Sequence, residues 1–303
     1  MNIWRHLVNS YDNNRDLLKK SHPLSSTRIS NAAEQIVVIV INGKGNFIRA
    51  YSIPPANAGA QEKTYISIPV SEASMARSST SAWENPHPLF DQFEYVKGHG
   101  RNFEGLQTSS KQVAGYLRTL QNFANATDNS NIKAIASYVA KRSIEVDISH
   151  LKPKSKTMVL YEVEIPKVRL AKTWEDPSVY ESWHNFYIKN KKHIIDGISG
   201  TEQADALFHP KKITNYSANA KLISANDNNN FTFRGRFESA KESVSVGYES
   251  SQKAHQFLRF LIDDRAVFCG EQAIMSFSIG SIEKDLPPPL DDEITLWDTI
   301  QTG

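Results

Sequence analysis

The chain has one cysteine, Cys269, which excludes an internal disulfide and a Cys-rich zinc site. It follows the apolar Ala266-Val267-Phe268 and is expected to behave as a small buried hydrophobe rather than a nucleophile. No apolar run approaches the roughly 18 residues of a membrane-spanning helix. The opening MNIWRHLVNSYDNN has no long apolar stretch after its early arginine, so no signal peptide is expected. Cytoplasmic residence and no membrane partner are the default expectations. Neither sign of charge dominates: the net charge is +2, and any nucleic-acid binding must use a local patch. Neither a G-x-x-x-x-G-K-[ST] phosphate loop nor a G-x-G-x-x-G fingerprint occurs. Gly197-Ile198-Ser199-Gly200 falls short of the G-x-S-x-G nucleophile pattern. His184, His193 and His209 lie near Asp196, Glu202 and Asp205 in the chain, but their spacings match no metal or acid–base signature. His209-Pro210 reads as a turn. No enzyme, cofactor or metal is expected.

What is present is ordinary globular material. At 303 residues the chain can bury roughly 75% of its unfolded surface. Hydrophobic residues make up 40% and charged residues 22%, a composition that folds rather than staying disordered. Ile3, Trp4, Leu7, Val8 and Tyr11 recur at helical spacing. Ile36 to Ile41, IVVIVI, predicts a strand buried on both faces, turning at Asn42 to Asn46 into a second strand over Phe47 to Ile53. Tyr65 to Val70 predicts another strand. From Ser71 to Asn85 small hydroxyl residues with Arg77 predict a loop, after which Leu89, Phe90, Phe93 and Tyr95 return to a core.

Val113 to Ala124 and Ile132 to Val139 predict two helices, the polar residues between them capping the second. Thr157 to Ile165 predicts an alternating strand, and Val179, Trp183, Phe186 and Tyr187 a helix leading into the basic Lys189 to His193. Ala254, Phe257, Leu258, Leu261 and Ile262 share one helical face, with Ser250 or Ser251 as cap and Lys253, Gln256 and Arg259 on the opposite polar face. Ala273 to Ile279 alternates as a strand. Pro287-Pro288-Pro289 ends regular structure before an acidic tail. The fold class is α+β. One domain is expected over 1–289, with a possible subdivision near 150–190, followed by a tail or linker at 290–303.

The stretch from Asp196 to Phe237 carries Lys211, Lys212, Lys221, Arg234 and Arg236 between sparse apolar residues. Phe231 to Phe237 alternates strictly, so a strand there puts aromatics on one face and Arg234 and Arg236 on the other. Asn226 to Asn230 predicts a turn, with Leu222 to Ser224 as the partner strand of a hairpin. Arginines on one face beside an amide-rich turn and lysines make a candidate nucleic-acid surface. A solvated strand face is the competing reading.

The runs ISGTEQ, LFHPKKI, AKLISANDNNNFTFRGRF, VGYESSQKAH, FLRFLI, GEQAIMSFSIG and PPP follow one another in order. With Tyr11-Asp12, Pro88-Leu89-Phe90-Asp91 and Glu94 to Gly98, they resemble the large subunit of the type I-C CRISPR surveillance complex, Cascade. The likeness is most specific from Ile198 to Gly280. Members of that family are longer, so the chain resembles their N-terminal portion, a mixed sheet-containing domain without the C-terminal helical bundle.

The resemblance implies a non-catalytic subunit that helps recognise the protospacer-adjacent motif (PAM) in duplex DNA and starts unwinding for guide-RNA pairing. It implies double-stranded target DNA, the 5′ handle region of the CRISPR RNA and other Cascade subunits as partners. Members carry a basic, serine-rich segment where the Ser71 to Asn85 loop stands. Arg77, Asn226, Asn228 and Asn229 are thus candidate readers of base edges or groove shape. Ser78 and Ser79 are candidate phosphate contacts. Lys211, Lys212, Lys221, Arg234, Arg236 and Lys253 complete the expected surface. A purely structural assembly module and a metal-dependent nuclease are the alternatives.

Overall fold

The computed structural model describes residues 3–56, 64–77, 85–97, 111–166, 171–214, 220–223, 245–270 and 272–275. In chain order the elements begin α1 (Ile3–Asn13), α2 (Arg15–Ser21), β1 (Ser26–Ser30), β2 (Ile36–Asn42), β3 (Phe47–Ile53) and β4 (Tyr65–Pro69). Then come α3 (Glu72–Met75), β5 (Asp91–Gln92), α4 (Phe93–Val96), α5 (Lys111–Asn125), α6 (Ser130–Ala140), α7 (Ile144–Asp147) and β6 (Met158–Glu164). The remainder are α8 (Pro177–Lys189), β7 (His193–Ile195), β8 (Glu202–Ala204), α9 (Tyr248–Arg265), β9 (Val267–Cys269) and β10 (Gln272–Ile274). The class is α+β. The chain divides into two compact units, one built from residues 23–192 and the other from 1–22 together with 193–303.

The 23–192 unit is organised on a mixed sheet of order β3-β2-β6-β5. β2 pairs antiparallel with β3 and parallel with β6, and the unit's core buries its apolar side chains on both faces. Fully burying each such Val or Ile stabilises by about 1.5–3 kcal/mol. Against the expected alternation, β6 is also buried on both faces: β2 and β5 pair with its edges, and the unit's core covers its faces. Its polar Glu162 survives burial by accepting from the Tyr51 hydroxyl at 2.7 Å.

The β2–β3 turn is tied by Asn42 Oδ1, which accepts from the amides of Lys44 and Asn46. Gly45 there has φ +69°, and an added Cβ would stand 2.6 Å from the Ala134 carbonyl of α6. Only glycine allows both the left-handed backbone and that approach. Asn129 caps α6, its side chain accepting from the amides of Asn131 and Ile132. α8 is tied to the β4 edge by Trp183 Nε1 donating to the Val70 carbonyl (2.9 Å) and the Tyr180 hydroxyl to that of Ser67 (2.6 Å).

The expected loop at Ser71 begins instead as α3, because Ser71 and Ser74 form a reciprocal capping box. Arg77 is held inside this unit. Its Nη2 lies 2.7 Å from Asp91 Oδ1, Nη1 donates to Oδ2 at 2.8 Å, and the guanidinium sits 4.4 Å from the Tyr95 ring centroid. Asp91 is fully buried; desolvation pushes its carboxyl above the usual range, and Arg77 opposes that. In the basic stretch after α8, Lys191 pairs with the buried Glu72, to which the Tyr187 hydroxyl also donates. Ser78 and Ser79 lie outside the described residues.

In the other unit α1 packs along α9, joining Leu7, Val8 and Tyr11 to a core with Ala254, Phe257 and Leu261. Lys253 Nζ stands 2.7 Å from both Asp12 Oδ1 and Glu249 Oε1. β7 and β8 form a short antiparallel hairpin, and β9 and β10 another. Cys269 is exposed at the end of β9, where β9 pairs only with β10 among the described residues; the expectation of burial is corrected. Among the described residues no helix is long and apolar enough to cross a membrane.

Candidate nucleic-acid interface

The basic stretch begins at a buried aspartate. Asp196 follows β7, and its Oδ1 accepts the Gly247 amide at 2.7 Å. Its Oδ2 accepts from the hydroxyls of Ser199 and Ser250, both at 2.7 Å, and from the Ser199 amide at 2.8 Å. Burial alone would raise this carboxyl, but the converging donors outweigh it and hold it below its ordinary range. Gln203 on β8 completes the junction, donating to Ser250 Oγ at 2.9 Å while its Oε1 accepts the Ser250 amide at 3.1 Å. The start of α9 is therefore satisfied by side chains remote in sequence. Its cap is Gly247, and Ser250 and Ser251 lie buried within the first turns rather than capping it.

A buried polar seam then runs along α9. Gln256 is 1% and Arg259 3% exposed, so the polar face expected opposite the apolar one is itself buried at these two positions. Arg259 Nε donates to the Lys212 carbonyl at 2.9 Å and Nη2 to the Lys211 carbonyl at 2.5 Å. One turn earlier, His255 Nδ1 donates to the Ser251 carbonyl at 2.7 Å, leaving Nε2 to accept the Leu222 amide at 3.1 Å. His209 Nδ1 lies 2.8 Å from Ser251 Oγ, and its ring stacks on His255 with 6.1 Å between centroids and 8° between planes. Burial depresses both imidazoles, His209 to about 4 and His255 to about 3, so both are neutral at pH 7.

Two separate segments, 207–213 and 220–223, are thereby fastened to one helix, and they carry Lys211, Lys212 and Lys221. Lys212 is exposed and adopts φ +60°, while Lys211 and Lys221 are half-buried. The Lys212 ammonium is pushed below its ordinary range by partial desolvation, then by Arg259 and Lys211; Lys221 is lowered by desolvation and Lys211. An anion brought to these ammonium groups would favour their charged form.

The structure brings together Lys211, Lys212 and Lys221 of the expected surface. Lys253 and Arg77 are engaged by carboxylates within their own units. Asn226, Asn228, Asn229, Arg234 and Arg236 lie outside the described residues. Leu222 and Ile223 are not in a strand, being tethered to α9 instead, so that part of the expected hairpin is corrected.

The histidines and carboxylates near the basic stretch do not converge. His184 bonds Ser25 Oγ at 2.8 Å in the 23–192 unit, and His193 is exposed on β7. Among the described residues no group of three or more His, Cys, Asp or Glu could hold a metal ion. Asp196, Gln203, His255 and Arg259 were not legible as site residues, because apolar periodicity carries no mark for a buried polar seam.

A family model described as CRISPR-associated protein (Cas_Csd1) matches residues 7–298. No curated protein matches the chain.

Proposed function

The chain belongs to the CRISPR-associated Cas_Csd1 family, and from that premise we propose that it is a non-catalytic, nucleic-acid-binding subunit of a type I-C Cascade. In this reading it acts as the large subunit does, helping to recognise the PAM in duplex DNA and starting unwinding for guide-RNA pairing. It meets other Cascade subunits near the 5′ handle of the CRISPR RNA. The observation that carries the reading is that Lys211, Lys212 and Lys221, on two separate segments, are fastened to one helix through their own backbone and that of Leu222. These lysines hold phosphates and set register, while Asn226, Asn228 and Asn229 with Arg234 and Arg236 supply base and further backbone contacts. Lys253 and Arg77 fall outside the proposed surface because their charges are compensated internally.

The test is duplex binding by the assembled complex with Lys211→Ala, Lys212→Ala and Lys221→Ala, singly and combined. Each lost phosphate contact lowers the log–log salt slope by about 0.9 and weakens all PAM sequences alike. In a PAM library, Asn228→Ala or Asn229→Ala relaxes preference at one position by roughly ten- to a hundred-fold. Unchanged slopes in the lysine variants leave a purely structural assembly module.

A further inference from the structure

We propose that His255 and Arg259 are positioning residues which pre-set the three lysines for binding, without themselves touching nucleic acid; the inference rests on the reading above. The two side chains stand four residues apart on α9, one helical turn, and each holds a different segment. Arg259 spans two consecutive carbonyls, those of Lys211 and Lys212, at the point where Lys212 takes the left-handed backbone. That conformation is unfavourable for a side chain with a Cβ and persists only where surroundings enforce it. Arg259 holds the carbonyls on either side of that conformation. Its planar fork fits two adjacent carbonyl oxygens, which the single-point ammonium of lysine cannot reproduce.

His255 acts on the second segment. The Leu222 amide needs an acceptor, and Nε2 serves only while the ring is neutral with its proton on Nδ1. Ser251 enforces that tautomer by accepting from Nδ1 through its carbonyl, while its hydroxyl engages the stacked His209. Arg259 at 3% and His255 at 1% exposure cannot reach a phosphate without unpacking. Their contribution is to order the lysine-bearing backbone in advance, so that less conformational freedom is lost on binding.

Four variants of the full chain in its complex test this: Arg259→Lys, His255→Leu, His255→Gln and the combined lysine-to-alanine variant. Arg259→Lys retains the charge but loses the fork. His255→Gln retains an acceptor in place of Nε2, whereas His255→Leu does not. Arg259→Lys and His255→Leu are expected to bind duplex roughly tenfold more weakly with an unchanged salt slope, and His255→Gln to restore binding. Without nucleic acid, Leu222 amide exchange should accelerate in His255→Leu and stay protected in His255→Gln. A further variant, Arg259→Gln, removes the charge as well: a slope reduced by about 0.9 there, with the slope of Arg259→Lys unchanged, would show direct phosphate contact and overturn the proposal. So would wild-type affinity in both Arg259→Lys and His255→Leu while the lysine variant weakens, which leaves the functional reading standing. Wild-type binding by the lysine variant removes that reading instead, while Leu222 exchange still reports the tether. Should Arg259→Lys fail to fold, the two His255 variants decide alone.

Discussion

The Gly247 amide donates to Asp196 Oδ1 at 2.7 Å, joining the turn after β7 to the cap of α9 across fifty-one positions of sequence. The same carboxylate takes the Ser250 hydroxyl from the first turn of the helix. The lysine-bearing segments are fastened to that helix, so the aspartate underlies their placement.

Asp196→Asn replaces a pure acceptor with a group half donor, leaving buried donors unmet. Melting of the full chain should show a loss of about 2 kcal/mol. Because the folded carboxyl lies below its ordinary value of 3.8, its stabilisation is fully present above that pH and is lost as pH falls through the folded value. The difference between wild type and variant should therefore shrink under acid. Equal melting at pH 7 would refute the role.

The stacked histidines predict a second pH dependence of the same direction. Both are depressed from 6.5, His209 to about 4 and His255 to about 3, so the unfolded chain binds protons that the folded chain refuses. Stability is then full above about 6.5 and declines as pH falls toward 4, by on the order of 1.4 kcal/mol per pH unit for each ring. His255→Gln should flatten that decline when unfolding is followed from pH 7 to 4.5. A decline as steep as in wild type would place the titration elsewhere.

Arg77 and Asp91 form an ion pair with side-chain exposures of 13% and 0%. Removing one partner strands a buried charge and costs about 3–5 kcal/mol. Arg77→Ala should thus lower the melting temperature markedly, with any weakening of DNA binding equal across PAM sequences. Normal stability together with relaxed preference at one PAM position would return Arg77 to base reading.

Gly45→Ala sets a Cβ 2.6 Å from the Ala134 carbonyl and 2.8 Å from the Tyr138 amide nitrogen, at φ +69°. The β2–β3 turn must lift from α6, with a destabilisation of about 2 kcal/mol or more expected in chemical denaturation. A shift below about 0.5 kcal/mol would show that the turn tolerates displacement.

The elements whose burial is uniform along a face were legible. IVVIVI could only be a strand covered on both sides, and Leu7, Val8 and Tyr11 mark the inner face of α1 whatever they pack against. The cap at Asn129 and the tight turn at Asn42 to Asn46 are local, made by side chains bonding backbone a few residues away, and local chemistry is written in local sequence. The basic character of 196–237 was equally visible, since charge needs no fold to be counted.

Tertiary structure alone decided the pairings between remote segments. β6 could be read as half-exposed until β2 and β5 closed on its two edges and the unit's core covered both faces. Lys253, Gln256 and Arg259 look alike on a helical wheel. Yet Lys253 meets Asp12 from the other end of the chain, and Arg259 is buried beneath two carbonyls of a loop. Periodicity records which residues avoid water. A buried polar group is tolerated only where acceptors and donors converge on it, and that convergence exists only once distant stretches of chain have met.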